Sequence, residues 1–312
     1  MRAKFSGHET FPLRYGWLYK SMYHIDNNGN LNTSNSQDAE NAIVELGVGK
    51  NMVGAMRYWL DACSLLDKIS AKDALTPLAK EICFGEYADP NLEFIGTVWL
   101  YHFLLNFNST ELTSYRYFFN YFNGEFFEKN FLVKELVHDC DSLLTSKGKI
   151  LEKTVAKDFD VFLSSYVKKQ IPHKGALNEE ELFVSPLSEL RLIVEHSKGH
   201  YTSELKDRVD LPVEIFVYSL LCFAQLRKSK DLALSISYEK LLYSPFSPGR
   251  IFRLNEAGLN RLLDAATQLD SNITWTDSLG LRQIRIESVL FVNPEIFVLN
   301  YFEEQHYVND ND

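Results

Sequence analysis

His8, Glu9 and Arg14 lie within one thirteen-residue run, Phe5-Ser6-Gly7-His8-Glu9-Thr10-Phe11-Pro12-Leu13-Arg14-Tyr15-Gly16-Trp17, which also carries four aromatic rings. An imidazole titrates near neutral pH and can act as general acid or base. A guanidinium holds a phosphate through paired hydrogen bonds. Together the three form the candidate catalytic group for cleavage of a phosphodiester, where water must be activated and charge stabilised at phosphorus. The same residues also admit a structural reading, in which the run is a lid whose aromatics cap the core and Arg14 pairs with Glu9. Gly7 and Gly16 permit positive φ, Pro12 stops a helix, and Thr10 is expected to be extended.

Phosphodiester chemistry usually recruits a divalent cation, so carboxylates come next. Asp158 and Asp160 are the candidate ligands for Mg2+ or Mn2+, with Glu9, Asp89 and Glu189 as further carboxylates. Two residues apart on a helix is a rotation of roughly 200°, so Asp158 and Asp160 do not face each other, and a lysine pair is the competing role. No GxxxxGK[ST], strand-linked GxGxxG, GxSxG or HExxH pattern occurs, so no nucleotide cofactor is signalled.

The elements that would position these groups are mainly helices. Ser36 can cap a helix through Leu46, Gly47-Val48-Gly49 makes a tight turn, and Lys50 to Leu60 forms a second helix with Met52, Val53, Met56, Trp59 and Leu60 on its apolar face. That layout predicts a helix-turn-helix, with Leu65–Ile69 and Ala74–Thr76 as the strands of a wing and Pro77 opening the next helix. On it, Lys50, Asn51 and Arg57 are candidate DNA contacts, and Lys68 and Lys72 in the wing would meet phosphates. Arg250 adds a further candidate, with Arg253, Arg282 and Arg285 as a second basic face; each alone is as well explained as solvated surface charge.

The fold class expected is mainly α with minor β, in three regions. Residues 1–87 hold the opening motif and the winged helix-turn-helix. Residues 88–170 form an aromatic helical middle whose rings read as packed core. Residues 171–312 form an α+β carboxyl region with short strands at 232–237 and 251–254 and a helix from Asn255 to Leu269. Lys147 to Lys157 reads as a basic linker, Asn178–Glu181 as an acidic loop, and Tyr307–Asp312 as a frayed tail.

Composition sets outer bounds. A 46% hydrophobic chain of 312 residues can bury a large core. Four dispersed cysteines form no CxxC pair and read as buried thiols. The amino terminus has no signal-peptide pattern and no run is long enough to span a membrane, so a cytoplasmic location is expected. The net charge of −10 opposes nucleic-acid binding unless a local basic face or a partner overcomes it.

The opening run resembles the signature of a bacterial family of unknown-function domains found in DNA phosphorothioation and anti-phage islands. The resemblance continues through Leu75–Ala79, Asp89-Pro90, Val98–His102, Lys157–Phe162, Ser185–Leu190, Ser247–Phe252 and Gly280–Gln283, and so covers nearly the whole chain. It implies a component that binds double-stranded DNA and nicks it, so that partner proteins can insert sulfur. The implied partners are an ATPase and a PAPS-reductase-like ATP pyrophosphatase, with a cysteine desulfurase in the same system. A non-catalytic winged-helix adaptor that recruits defence proteins to DNA is the alternative, and a docking scaffold that never meets DNA is a third.

Overall fold

The computed structural model describes residues 1–67, 72–108, 110–145, 150–168, 184–227, 233–278 and 280–309, and its fold is mainly α with minor β. Strand β1 (Arg2–Ala3) precedes the opening loop and pairs in parallel with β2 (Glu111–Leu112). Helices α1 (Trp17–Asp26), α2 (Ser36–Leu46), α3 (Lys50–Ala62) and α4 (Pro77–Phe84) follow. Local chemistry sets their ends. The Asn35 side chain, rather than Ser36, accepts from the amides of Gln37 and Asp38 to start α2, and Gly47 stops it at φ 66°. Pro77 occupies the first turn of α4, where Thr76 accepts from the Ala79 amide. Between α3 and α4, Leu66 and Leu75 form an antiparallel bridge, the root of the expected wing; residues 68–71 lie outside the described residues.

Helix α5 (Ile95–Asn106) is apolar on every side and buried throughout, as such a helix must be. Asp89 builds its amino end: one oxygen accepts from the Glu93 amide at 2.7 Å, the other from the Phe94 amide and the Thr97 hydroxyl. Helix α6 (Ser114–Asn120) is capped by Thr113 and supplies Tyr115, Phe118 and Phe119 to an aromatic core shared with Phe162 and Tyr166. Strand β3 (Phe126–Glu128), α7 (Lys129–Leu143) and α8 (Glu152–Tyr166) complete the middle of the chain. The expected basic linker is in part the first turns of α8, because Glu152 to Lys157 already continue its amphipathic pattern.

After the 3-10 turn Pro186–Leu190, the hairpin β4 (Val194–Ser197) and β5 (His200–Thr202) joins β3 in a sheet ordered β3-β5-β4. Helix α9 (Val213–Gln225) lies on α5 and on α13 (Ile296–Asn309). Strand β6 (Ala233–Ser237) runs beside the hairpin β7 (Ile273–Ser278) and β8 (Leu281–Glu287), in the order β6-β8-β7. Helices α10 (Tyr238–Tyr243), α11 (Pro248–Ile251) and α12 (Glu256–Leu269) fill the intervening chain, with Asn255 capping α12. The expected strand at 251–254 shrinks to a single bridge, Lys206 to Leu254, because Ser247 and Pro248 start a short helix that runs to Ile251. The expected frayed tail is helical to Asn309, where α13 packs on α9; residues 310–312 are outside the described set, as is the predicted acidic loop at 178–181.

The buried apolar side chains form one continuous cluster from Phe5 to Phe302. His102 sits inside it and links three helices. Its Nε2 is 2.8 Å from the Ile251 carbonyl and its Nδ1 2.7 Å from the Tyr166 hydroxyl. A carbonyl only accepts, so Nε2 carries the proton and the ring is neutral. Burial pushes this imidazole down to about 3. Below its ordinary value of 6.5 the unfolded chain takes up a proton that the folded chain refuses, so acid favours unfolding through this residue. In urea titrations, the stability of the wild type should fall relative to that of His102→Gln by up to about 1.4 kcal/mol per pH unit below about pH 6. Parallel pH profiles for the two proteins would contradict this.

Candidate functional site

The opening loop is folded against α3 and α8. Its turn closes with a Phe11 amide to His8 carbonyl bond of 2.8 Å, while Gly7, Glu9 and Thr10 take φ of 117°, 48° and 66°. Thr10 is therefore left-handed rather than extended, an unfavourable state for a β-branched residue. At Gly7 a side chain is excluded, since its Cβ would lie 2.8 Å from the Tyr58 ring. The Trp59 indole donates to the Phe11 carbonyl, which fixes the far side of the loop on α3.

The turn drives His8 inward. The ring is 3% exposed, edge-on to Tyr58, and its Nε2 lies 2.7 Å from Asp158 Oδ1, a carboxylate with no exposure at all. His8 Nδ1 accepts from the Thr10 amide at 3.1 Å, which leaves the proton on Nε2, donated to Asp158. The other oxygen, Oδ2, accepts from the Ser114 amide at 2.8 Å, at the start of α6, where the helix dipole also favours a negative charge. Both ring nitrogens and both carboxylate oxygens are engaged. In this arrangement His8 has no lone pair available for a substrate proton, and the pair acts as a clamp between the opening loop, α6 and α8.

The other predicted residues occupy different surroundings. Glu9 is exposed, its Cγ 3.8 Å from where a Cβ on Gly54 would stand, so residues adjacent in sequence face opposite ways. The Arg14 guanidinium lies over the rings of Phe11 and Trp17, at 5.4 and 5.1 Å from their centres. Asp160 is on the surface, 2.7 Å from Lys129 Nζ, and does not approach its sequence neighbour Asp158. Asp89 spends its oxygens capping α5, and Glu189 pairs with Lys168. Among the described residues no group of three or more His, Cys, Asp or Glu is placed to hold a metal ion, and Asp158 and Asp160 meet different partners, His8 in the core and Lys129 at the surface.

On α3 the exposed positions are Lys50, Asn51 and Arg57, with Gly54 and Asp61 partly covered beside them. Arg57 grips Asp73 through Nε, 3.0 Å from both oxygens, and Nη2, 2.8 Å from Oδ1. Asp73 in turn accepts from the Leu31 amide, so this pair ties α3 to the wing root and to the segment after α1. The Asp73 hydrogen bonds hold the Arg57 guanidinium above its ordinary range. Lys72 is exposed at the wing root, and Lys68 lies outside the described residues. Arg250 donates to Asn123 Oδ1 at 2.6 Å and to the Phe122 carbonyl at 2.9 Å, and burial lowers its pKa. Arg253 is buried against the carbonyls of Gly124 and Ser203. Arg282 pairs with Asp277 and Glu256, and Arg285 with Glu287, so the expected second basic face is largely committed to partners within the chain.

The sequence reading missed Asp73, which holds Arg57, and two further acids, Asp61 and Glu111, that hold cations near the amino terminus. Asp61 and Glu111 both meet Lys4, and Glu111 also pairs with Arg2 and the buried Arg116. Burial alone would raise the Glu111 carboxyl, but the bonds from Arg2 and Lys4 bring it below its ordinary value. No local pattern announces such pairs, because their members lie up to 109 residues apart.

Helices α2 and α3, joined by a glycine turn and followed by the Leu66–Leu75 bridge, stand beside an opening loop that a buried His–Asp pair fastens to α8, within a mainly α fold. Residues 5–302 match the family described as protein of unknown function (DUF4007), and the chain belongs to that family. Among solved structures it is similar to "SspB crystal structure", with a TM-score of 0.80 and 27% identity over 97% of this chain and 89% of that one. It is equally similar to "Magnesium ion-bound SspB crystal structure", with a TM-score of 0.79 at the same identity and coverage. Comparison with curated proteins returns no significant match. No helix among the described residues is long and apolar enough to cross a membrane.

Removing the His8 ring leaves the Asp158 carboxylate buried without one of its donors. His8→Ala should therefore lower stability by about 3 kcal/mol in urea unfolding, with partial recovery in His8→Gln. A His8→Ala protein as stable as the wild type would show that the clamp does not bear on the fold.

Proposed function

We propose that the protein is the DNA-binding component of a phosphorothioation-linked anti-phage defence system, and that it nicks double-stranded DNA so that sulfur-inserting partners can act. The observation that carries this reading is the likeness to SspB along 97% of the chain, which joins the resemblance read from the opening motif. The α2–α3 unit supports it, since the second helix of such a unit enters the major groove. Lys50 and Asn51 stand exposed at the start of that helix, where base edges and phosphates are read, and Lys72 stands at the wing root. Arg57 orients the helix through Asp73 and contributes charge beside it. Because the chain carries a net charge of −10, delivery to DNA depends on partners, here an ATPase, a PAPS-reductase-like ATP pyrophosphatase and a cysteine desulfurase.

A second reading is a non-catalytic winged-helix adaptor. The engaged nitrogens of His8 and the lack of a metal-ligand cluster among the described residues favour it. The two readings part on one experiment: conversion of supercoiled plasmid to open circle by the purified protein with Mg2+, Mn2+ or EDTA. Cation-dependent nicking that is lost in Glu9→Gln, a surface change that spares the clamp, would establish the enzyme. Salt-sensitive gel retardation without nicking would leave the adaptor. In either case Lys50→Ala should weaken duplex binding at every sequence and reduce the salt slope by about 1, whereas unchanged binding would remove α3 from the interface.

A further inference from the structure

A large cavity lies away from the opening loop. It is a cleft of about 770 Å3 between the end of α8, the 3-10 turn Pro186–Leu190 and the β4–β5 hairpin. Leu163, Val167 and Ile193 supply an apolar floor, and Lys168, Arg191, His196 and Lys198 stand around it. None of these four basic residues stands out in the sequence, because they come from three separate elements. In a chain of net charge −10 they gather three permanent cations and an imidazole against one lining carboxylate, Glu195.

Two backbone features aim side chains into the cleft. Arg191 takes φ 48° as the residue that ends the 3-10 turn, a conformation unfavourable for a residue with a Cβ. The β4–β5 register shifts between Glu195 and Ser197, and a bulge of this kind breaks the alternation of a strand. Consecutive residues from Val194 to Lys198 therefore border the same cleft. Lys168 is held 3.1 Å from Glu189, but the side chains of Arg191 and Lys198 make no hydrogen bond or ion pair with the described residues. Tyr201, half-buried on the opposite wall, is held flat on Phe127 with ring centres 5.5 Å apart.

Cations that include two with no partner among the described residues, set beside an aromatic ring and an apolar floor, are the elements of a groove for unpaired nucleotides, which combines charge along the backbone with stacking of bases. We propose that the cleft binds a single DNA strand, with Arg191, Lys198 and Lys168 on its phosphates and a base against Tyr201. The proposal rests on the DNA reading above and adds a second contact, for the strand exposed when a duplex is opened or nicked.

The test is fluorescence anisotropy of the full chain with a labelled thymidine oligonucleotide of about 12 residues, and with a duplex, across a salt series. Arg191→Ala/Lys198→Ala should weaken strand binding by at least about tenfold and flatten its salt slope by about 1.4, at an unchanged unfolding midpoint. Tyr201→Leu should weaken it roughly 5- to 100-fold with the slope retained. If the double variant binds the oligonucleotide as the wild type does, while Lys50→Ala weakens duplex binding, the DNA reading stands and the cleft proposal is overturned. If the wild type binds neither strand nor duplex, both fall. If polyglutamate binds more tightly than the oligonucleotide and depends on Arg191 and Lys198, the cleft serves an acidic protein segment and the proposal is again overturned.

Discussion

A carboxylate that has lost all contact with water must be met by fixed donors, and Asp158 imposes that condition on three separate parts of this chain. Its two oxygens require the His8 ring on one side and the Ser114 amide on the other. The opening loop, the start of α6 and the middle of α8 therefore take up their positions together. The loop's left-handed residues follow from the same demand, since only a tight turn at Glu9 and Thr10 presents an amide to His8 Nδ1 and leaves Nε2 for the acid. Elsewhere the chain uses acids in the same manner. Asp89 organises the entry to α5, Asp73 fastens α3 to the wing root, and Glu111 gathers Arg2, Lys4 and Arg116. The acidic side chains thus include many of the internal fasteners.

The arginines obey a matching rule. Arg116 spends its guanidinium on the carbonyls at the ends of α3 and α5, and Arg250, Arg253 and Arg208 bind carbonyls around the β3 and α11 junction. Burial pushes Arg208 and Arg253 down to about 10. Guanidinium groups engaged in this way keep their charge but have few N–H groups left to donate, so a count of basic residues overstates what is offered to a polyanion. Which cations remain outside depends on tertiary pairing, and that is set by residues far away in sequence.

This contrast explains what could be read from the sequence. Signals carried by neighbouring residues were legible: the Gly47-Val48-Gly49 turn between α2 and α3, Pro77 at the start of α4, and Asn255 at the start of α12. The aromatic middle was legible as core because so few basic residues interleave its rings. The strand expected at 251–254 failed because a Ser-Pro helix start outweighed a short apolar run, and the tail was misjudged because its polar residues share a helix with Phe297, Tyr301 and Phe302. The candidate site was legible only as a set of residue types. Adjacency of His8 and Glu9 suggested a shared site, whereas the turn between them sends one into the core and the other to the surface. The true partner of His8 lies 150 residues away, and no spacing rule reaches that far.

That separation governs how the protein can be made. With a separation of 150 residues from His8 to Asp158, translation at about 5–20 residues per second delays the acid by roughly 8 to 30 s after the histidine. Over that interval the nascent chain carries Phe5, Leu13 and Trp17, all buried in the finished fold, with nothing yet synthesised in α8 to hold the loop. Until α8 has been made, the opening loop can be held only from the side of α3.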